Sequence, residues 1–313
     1  MASLRWGILG GRSRIARNAV APAVEASERS ELVAVASRDA DGSDAPYAAL
    51  MARPDLDIVY IPLPNGLHLH WVKAALAAGK HVLCEKPLGM NAAEAEEMFD
   101  AADAAGRVLV EAYMTPFHPR TVAIERLVAG GALGELRSMR AAFTFPMVAL
   151  RPADHRFDPV LGGGASLDVG IYCSAPMLGF ADREPVAVAA AALWEAPRTD
   201  RSLSAFLDFG DGLTGSFDVS FELAPRQRLE LWGTAATLVT DMAFNPAMDP
   251  TTVELLHLDG HSETSMFEGA SAYLGMVDHV TAVVLDGVAP RYGRHETLAV
   301  ARTIERARTA AGM

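Results

Sequence analysis

Short apolar runs alternate with helix-length segments through the first third of the chain. Leu4 to Leu9 is apolar and ends at Gly10-Gly11. A helical stretch follows from about Ser13 to Ala26, with Pro22 inside it. Glu31 to Ser37 reads as a buried strand, Asp57 to Pro62 as another and His81 to Cys84 as a fourth. His68 to Ala78 is helix-like, and Gly79 is placed to end it. Asn91 with Glu94 predicts a capping box for a helix running to Ala105 and stopped by Gly106. Val108 to Val110 is the fifth strand. Strands joined by helices of this length predict a parallel, doubly wound sheet of the Rossmann kind in an α/β protein.

The pattern changes near His118. After a helix around Thr121 to Ala129, strand-like segments dominate: Leu136 to Phe145, Val186 to Leu193, Ser204 to Phe209, Thr214 to Val219, Leu229 to Trp232 and Thr252 to Leu256. Turns such as Gly210-Asp211-Gly212 signal antiparallel hairpins. The last segment, about Arg294 to Ala311, is helical again. The expected division is a Rossmann domain over residues 1–117 and an α+β domain with a large, mostly antiparallel sheet over 118–313, the final helix being free to pack back on the first domain.

Composition narrows the function classes. No run of roughly 18 or more uncharged apolar residues occurs, so a membrane span is not expected. The start lacks the basic head and long apolar segment of a signal peptide, which makes the cytoplasm the expected compartment. Two cysteines, Cys84 and Cys173, do not make a disulfide scaffold. A net charge of −12 repels phosphate backbones, so nucleic acid is not an expected partner. It leaves room for a small anionic cofactor held by a helix N-terminus and a few arginines.

Four stretches carry candidate chemistry. Gly11-Arg12-Ser13-Arg14-Ile15-Ala16 places small residues at the spacing of G-x-G-x-x-A between a strand and a helix. That spacing allows a tight turn, close approach of a pyrophosphate and close helix packing. Ser13 replaces the middle glycine and leaves the register open by one residue. Ser37-Arg38-Asp39 ends the second strand: a guanidinium there can clamp a 2′-phosphate and points to NADP, whereas Asp39 as the reader would permit NAD. Glu85-Lys86-Pro87 follows the fourth strand, where ligands of open α/β sheets sit, although a strand-end lysine can equally be a solvated charge. Finally, Gly162-Gly163-Gly164 precedes Asp168 and Tyr172. In a helix beginning near Ser166 these two lie one turn apart on one face, either converging on a hydroxyl or serving as cap and core. His68 and His70 do not face one another on a helix, so no metal is expected. His118 either lines a cleft or caps the following helix, and His155 and Arg156 either reach a substrate or stay solvated. Trp71, Phe143 and Phe145 are expected in the core.

Together these segments resemble the glucose-fructose oxidoreductase / inositol dehydrogenase (Gfo/Idh/MocA) family. The resemblance runs through the Gly-rich turn, Ala36 to Asp39, Asn65 with His68, His81 to Pro87, Glu111 to Met114 with His118-Pro119, and Gly162 to Tyr172. It implies a catalytic group of Lys86, Asp168 and Tyr172, and a cis Lys86–Pro87 bond. It also implies cofactor contacts from Gly10, Gly11, Ser13, Arg14, Ile15, Ser37, Arg38, Pro62, Asn65, His68, Glu85 and Lys86. Substrate contacts are expected from Lys86, His118, His155, Asp168 and Tyr172. Tyrosine at 172 resembles the branch with dihydrodiol and aldose dehydrogenases, and the family implies a homodimer or homotetramer built on the open face of the C-terminal sheet. The implied reaction is NADP-dependent hydride transfer to or from a hydroxyl-bearing carbon of a small sugar, such as a pentose, or a vicinal diol. The rivals are a ketoreductase of nucleotide-linked deoxysugars and a dinucleotide-binding regulator without catalysis.

Overall fold

A computed structural model describes residues 3–246 and 248–313. The chain forms two compact units, one made of residues up to Phe117 with Ser271–Leu298, the other of His118–Ala270 with Ala299–Met313.

In the first unit, β1 (Leu4–Leu9), β2 (Ser30–Ala36), β3 (Ile58–Ile61), β4 (His81–Glu85) and β5 (Leu109–Ala112) pair in parallel in the order β2-β1-β3-β4-β5. The chain runs from β1 to one side and then crosses back past it to β3. The loops after β1 and β3 therefore leave the sheet at its topological switch point, where open α/β sheets bind ligands. β3 and β5 are buried at every position, as expected of apolar runs covered on both faces. The helices His68–Ala77 and Ala92–Ala105 bury Trp71, Val72, Leu76, Met98 and Phe99 against Val59, Ile61 and Val82. The cap forms, Asn91 Oδ1 accepting from the Glu94 N–H at 2.9 Å, while the Glu94 carboxylate reaches the amide of Met90, one residue before the cap. Gly79 and Gly106 take the left-handed conformations that end these helices.

Several segments differ from the sequence reading. β2 is an edge strand whose apolar run is only partly covered, Val35 being 54% exposed, unlike the other edge strand β5. The helical stretch around Pro22 contains a wide π turn over Ala16–Val20, with the Ala21 amide bonded to the Ala16 carbonyl. Pro22 has no amide to donate one turn back, and the wider turn lets the helix resume as Ala21–Ala26. The helices Ala45–Met51 and Ala272–Asp286 were not foreseen.

In the second unit, β6 (Leu136–Thr144), β7 (Ala187–Ala196), β8 (Thr199–Gly210), β9 (Leu213–Ser220), β10 (Arg226–Gly233), β11 (Ala236–Asp241), β12 (Thr251–His257) and β13 (Ser262–Phe267) form one sheet in the order β13-β12-β11-β10-β6-β9-β8-β7. All pairs are antiparallel except β6 with β9. β11 and β13 were not foreseen; β13 is an exposed edge with no alternation to read. The β8–β9 turn has Asp211 and Gly212 both at positive φ, the mirror-image turn that suits strand twist. One face of the sheet packs on the Ala165–Ala181 helix through Leu203, Leu207, Phe217 and Val219. The opposite face carries exposed Leu193, Phe206, Leu256 and Met266.

No helix among the described residues is long and apolar enough to cross a membrane. Cys84 and Cys173 are both buried and unpaired as disulfides.

Candidate active site

The first unit supplies a glycine turn built for close approach. Gly10 adopts φ +126°, which disfavours any side chain, and a Cβ there would meet Leu63 and Pro62 from the loop after β3. A Cβ on Gly11 would lie 2.3 Å from Val35 of β2. Both glycines are thus required, and the amides of both donate to the Ala36 carbonyl. Ala16 is buried, where a larger side chain would push the helix off the sheet. Ser13 sits between, its hydroxyl near the Ala16 amide at 3.5 Å. This cradle fits a dinucleotide pyrophosphate, with Gly11 and Ala16 as the first and last small positions and serine tolerated at the middle one. Ser37 and Arg38 follow β2, and Arg38 Nε binds Asp44 at 2.6 Å with both side chains half exposed.

The loop after β4 begins with the cis Lys86–Pro87 bond. Three side chains brace it. His68 is fully buried with Nδ1 against the carbonyls of Pro87 and Leu88 and Nε2 against that of Leu63. Burial holds its pKa below the usual value although these carbonyls pull the other way. The imidazole thereby joins the β3 and β4 loops. Glu85 accepts the Tyr60 hydroxyl at 2.6 Å. Pro62 is buried, and Asn65 opens the short 3-10 turn before the His68 helix.

Glu111 is the third brace, and the sequence reading gave it no role. It ends β5 beside the end of β4, 3% exposed; its carboxylate accepts the Leu88 amide at 2.7 Å and the Thr297 hydroxyl at 2.9 Å. Burial raises its pKa to about 7, while both hydrogen bonds and the Lys86 charge pull it down and Glu85 pushes it up.

In the second unit the Ala165–Ala181 helix carries Asp168 and Tyr172 one turn apart. Its N-cap is Gly164 at φ +118°, which has no side chain to cap with. Asp200 of β8 does so instead: its carboxylate accepts the Ser166 amide at 2.8 Å and hydroxyl at 2.6 Å. Arg308 completes the group, bonded to Ser166 Oγ at 2.9 Å and Asp200 at 3.3 Å, all three being buried. Asp168 is therefore not the cap. It pairs with Arg156, Nε to Oδ2 at 3.0 Å. The Tyr172 ring is 7% exposed between Phe143 at 5.1 Å and Phe244 at 6.1 Å, so it is both a core aromatic and the bearer of a phenol. Phe143 is buried and Phe145 partly so, in the same aromatic group. His118 caps the Pro119–Ala129 helix, Nδ1 accepting from the Arg120 amide, and its buried Nε2 has no hydrogen-bond partner among the described residues. His155 lies 3.2 Å from Asp154, and burial lowers its pKa. Among the described residues no group of three or more His, Cys, Asp or Glu could hold a metal.

Residues 4–113 match the oxidoreductase family with an NAD-binding Rossmann fold, and residues 121–239 match the GFO/IDH/MocA C-terminal domain. The chain belongs to the GFO/IDH/MocA oxidoreductase family. It is 38% identical to D-xylose 1-dehydrogenase (NADP(+)) 2 of Haloferax volcanii over 96% of this chain and 95% of that one. It is 33% identical to human trans-1,2-dihydrobenzene-1,2-diol dehydrogenase over 83% and 79% of the two chains. A 3-ketoreductase from Actinomadura kijaniata, solved with NADP and TDP-benzene, superposes with a TM-score of 0.89 at 32% identity, covering 98% of each chain.

For this family member, the Glu111 brace gives a test that needs no substrate. A carboxyl whose pKa is raised on folding stabilises the protein fully below its unfolded value of 4.5, and that stability is lost as pH rises through about 7. From this group the protein loses up to ~1.4 kcal/mol per pH unit across that window. Glu111→Gln keeps an acceptor for Leu88 and can donate to Thr297. Denaturant midpoints at pH 5 and pH 8 should therefore differ less in Glu111→Gln than in the wild type. An unchanged difference would show that Glu111 does not titrate there.

Proposed function

We propose that this oxidoreductase uses NADP and moves a hydride between the nicotinamide and a hydroxyl-bearing carbon of a small sugar, an aldose such as a pentose, or of a vicinal diol. The observation that carries the reading is the pair Asp168 and Tyr172, a carboxylate and a phenol one helical turn apart, in a chain similar along nearly its whole length to a D-xylose dehydrogenase. When bound, the nicotinamide supplies or accepts the hydride. Tyr172 takes the proton of the substrate hydroxyl in oxidation and returns it in reduction. Lys86 holds the same oxygen and, as a cation, favours the phenolate. Asp168 binds a neighbouring hydroxyl or orients Lys86. His118, whose Nε2 has no partner among the described residues, and His155 supply further polar contacts to the substrate. Gly10, Gly11, Ser13, Arg14 and Ile15 hold the pyrophosphate, Ser37 and Arg38 the 2′-phosphate, and Pro62, Asn65, His68, Glu85 and Lys86 the nicotinamide end.

The ketoreductase relative binds a nucleotide diphosphate, which calls for uncommitted positive charge. Here Arg156 is held by Asp168 and Asp154, and Arg151 stands 4.0 Å from Asp154, so the sugar or diol reading is preferred. NADP reduction across pentoses, hexoses, inositols and cyclic trans-diols tests it, with the reverse reaction on keto-sugar nucleotides. Turnover confined to nucleotide sugars would overturn it; cofactor binding without turnover of any of them would revive the regulator.

Arg38 decides the cofactor. Its present partner Asp44 is half exposed, so exchanging that pair for a phosphate costs at most ~1 kcal/mol. A phosphate–guanidinium contact contributes about 1.5–3 kcal/mol. Arg38→Ala should weaken NADPH binding roughly tenfold or more and leave NADH nearly unchanged. Equal wild-type affinity for both cofactors would exclude the assignment.

We further propose a homodimer through the open sheet face bearing Leu193, Phe206, Leu256 and Met266, in the cytoplasm, a compartment that suits two unpaired thiols.

A further inference from the structure

We infer that Arg156 is a positioning residue: its guanidinium fixes the Asp168 carboxylate as an acceptor-only group for the substrate. The inference rests on the proposed role of Asp168.

Asp168 is not the cap of its helix. The helix start is closed by Asp200 through Ser166. Arg156 holds Asp168 with one edge of its guanidinium, Nε to Oδ2 at 3.0 Å, and grips Asp154 with the other, Nη1 on Oδ1 at 3.1 Å. Asp154 also accepts the Arg156 amide at 3.1 Å, so the anchoring carboxylate fixes both the backbone and the side chain of the arginine. The three side chains are 32%, 14% and 11% exposed, far from the fully solvated pairs that contribute little.

The glycine run is built around the same residue. The Gly164 amide donates to the Arg156 carbonyl at 2.9 Å, and the Gly163 amide to that of Asp158 at 2.9 Å. A Cβ on Gly163 would stand 2.4 Å from the Arg156 carbonyl oxygen. The chain therefore closes tightly on the backbone of Arg156, and any larger residue at 163 would displace it. One segment thus delivers both the guanidinium and, directly after it, the helix that bears its target. The neighbouring Asp168 charge holds the guanidinium above its ordinary pKa, as a committed ion pair requires.

A chemical consequence follows. A carboxylate paired with Arg156 offers only acceptor oxygens, so it engages hydrogen-bond donors. At that position the substrate must present a hydroxyl, not a carbonyl or ether oxygen.

The test combines crystal structures with kinetics of Arg156→Ala, Arg156→Lys, Asp168→Asn and the Arg156→Ala/Asp168→Asn double variant, on the best substrate of the sugar and diol panel. Crystals of Arg156→Ala should show the Asp168 carboxylate in a changed or disordered rotamer, and those of Arg156→Lys should show it near its original place. Arg156→Ala should lower kcat about tenfold or more with a smaller change in KM, lysine should recover part of the loss, and Arg156→Ala should cost less than about twofold in the Asp168→Asn background. An unmoved Asp168 in Arg156→Ala, or an equal loss in both backgrounds, would overturn the inference while leaving the role of Asp168 intact. Wild-type turnover in Asp168→Asn would instead remove that role, and the inference with it.

Discussion

Tyr172→Phe should lower kcat by about two orders of magnitude or more and leave cofactor affinity nearly unchanged. The substitution deletes a single oxygen. The ring keeps its place between Phe143 and Phe244, so the fold and the aromatic packing survive and the loss reports on chemistry. Lys86→Ala should have a loss of similar size. The loop that carries Lys86 is held by His68 and Glu111 through the carbonyls of Pro87 and Leu88 and the Leu88 amide, none of which involves the lysine side chain. Single-turnover and steady-state kinetics with NADP binding measured separately would check both. Near-normal turnover in Tyr172→Phe would take the proton away from the phenol and assign it to Lys86 or to water.

Asp200→Ala should be the most destabilising single change described, by about 3–5 kcal/mol. It removes the cap of the Ala165–Ala181 helix, strips Ser166 of a partner and leaves the Arg308 cation buried against a lost counter-charge. Arg308 retains its bonds to Ser166, to the Arg198 carbonyl and to the Met313 sulfur, none of which carries a counter-charge. Thermal melting should fall by roughly 10 °C. Because the same helix bears Asp168 and Tyr172, turnover should fall with it even below the melting range. A melting point within about 2 °C of wild type would show that water replaces the lost carboxylate and that the pair contributes little.

Central strands were legible because burial on both faces leaves an apolar run bounded by glycine or proline, as in Leu4–Leu9 and Ile58–Ile61. The same cue misread β2, since an apolar run does not tell a central strand from an edge one. The Ala272–Asp286 helix went unread because Val and Thr crowd its second half, residues that favour strands by propensity and are overruled here by packing. Lys86, Asp168 and Tyr172 could be named because each lies in a contiguous motif at a strand end or a helix start. Glu111, Asp200 and Arg308 could not. Their partners are set by tertiary structure: Glu111 meets Leu88 and Thr297 across 23 and 186 residues, and Arg308 meets Ser166 across 142. The one available hint for Glu111 was a carboxylate closing an otherwise apolar strand, the kind of buried polar group that requires partners.

The way the chain is shared between its units limits how it can be recombined. It passes from one to the other after Phe117, after Ala270 and after Leu298. A fragment cut at Phe117 would lack Thr297 for Glu111 and Leu298 for its core. A fragment of residues 118–270 would lack Arg308 for Asp200. Neither half can be expressed by a single cut, and a chimera with another family member would have to exchange matched pieces across three junctions. Substrate range is therefore more readily altered by grafting the 154–172 segment whole, with its arginine, its glycines and its helix start, than by swapping domains.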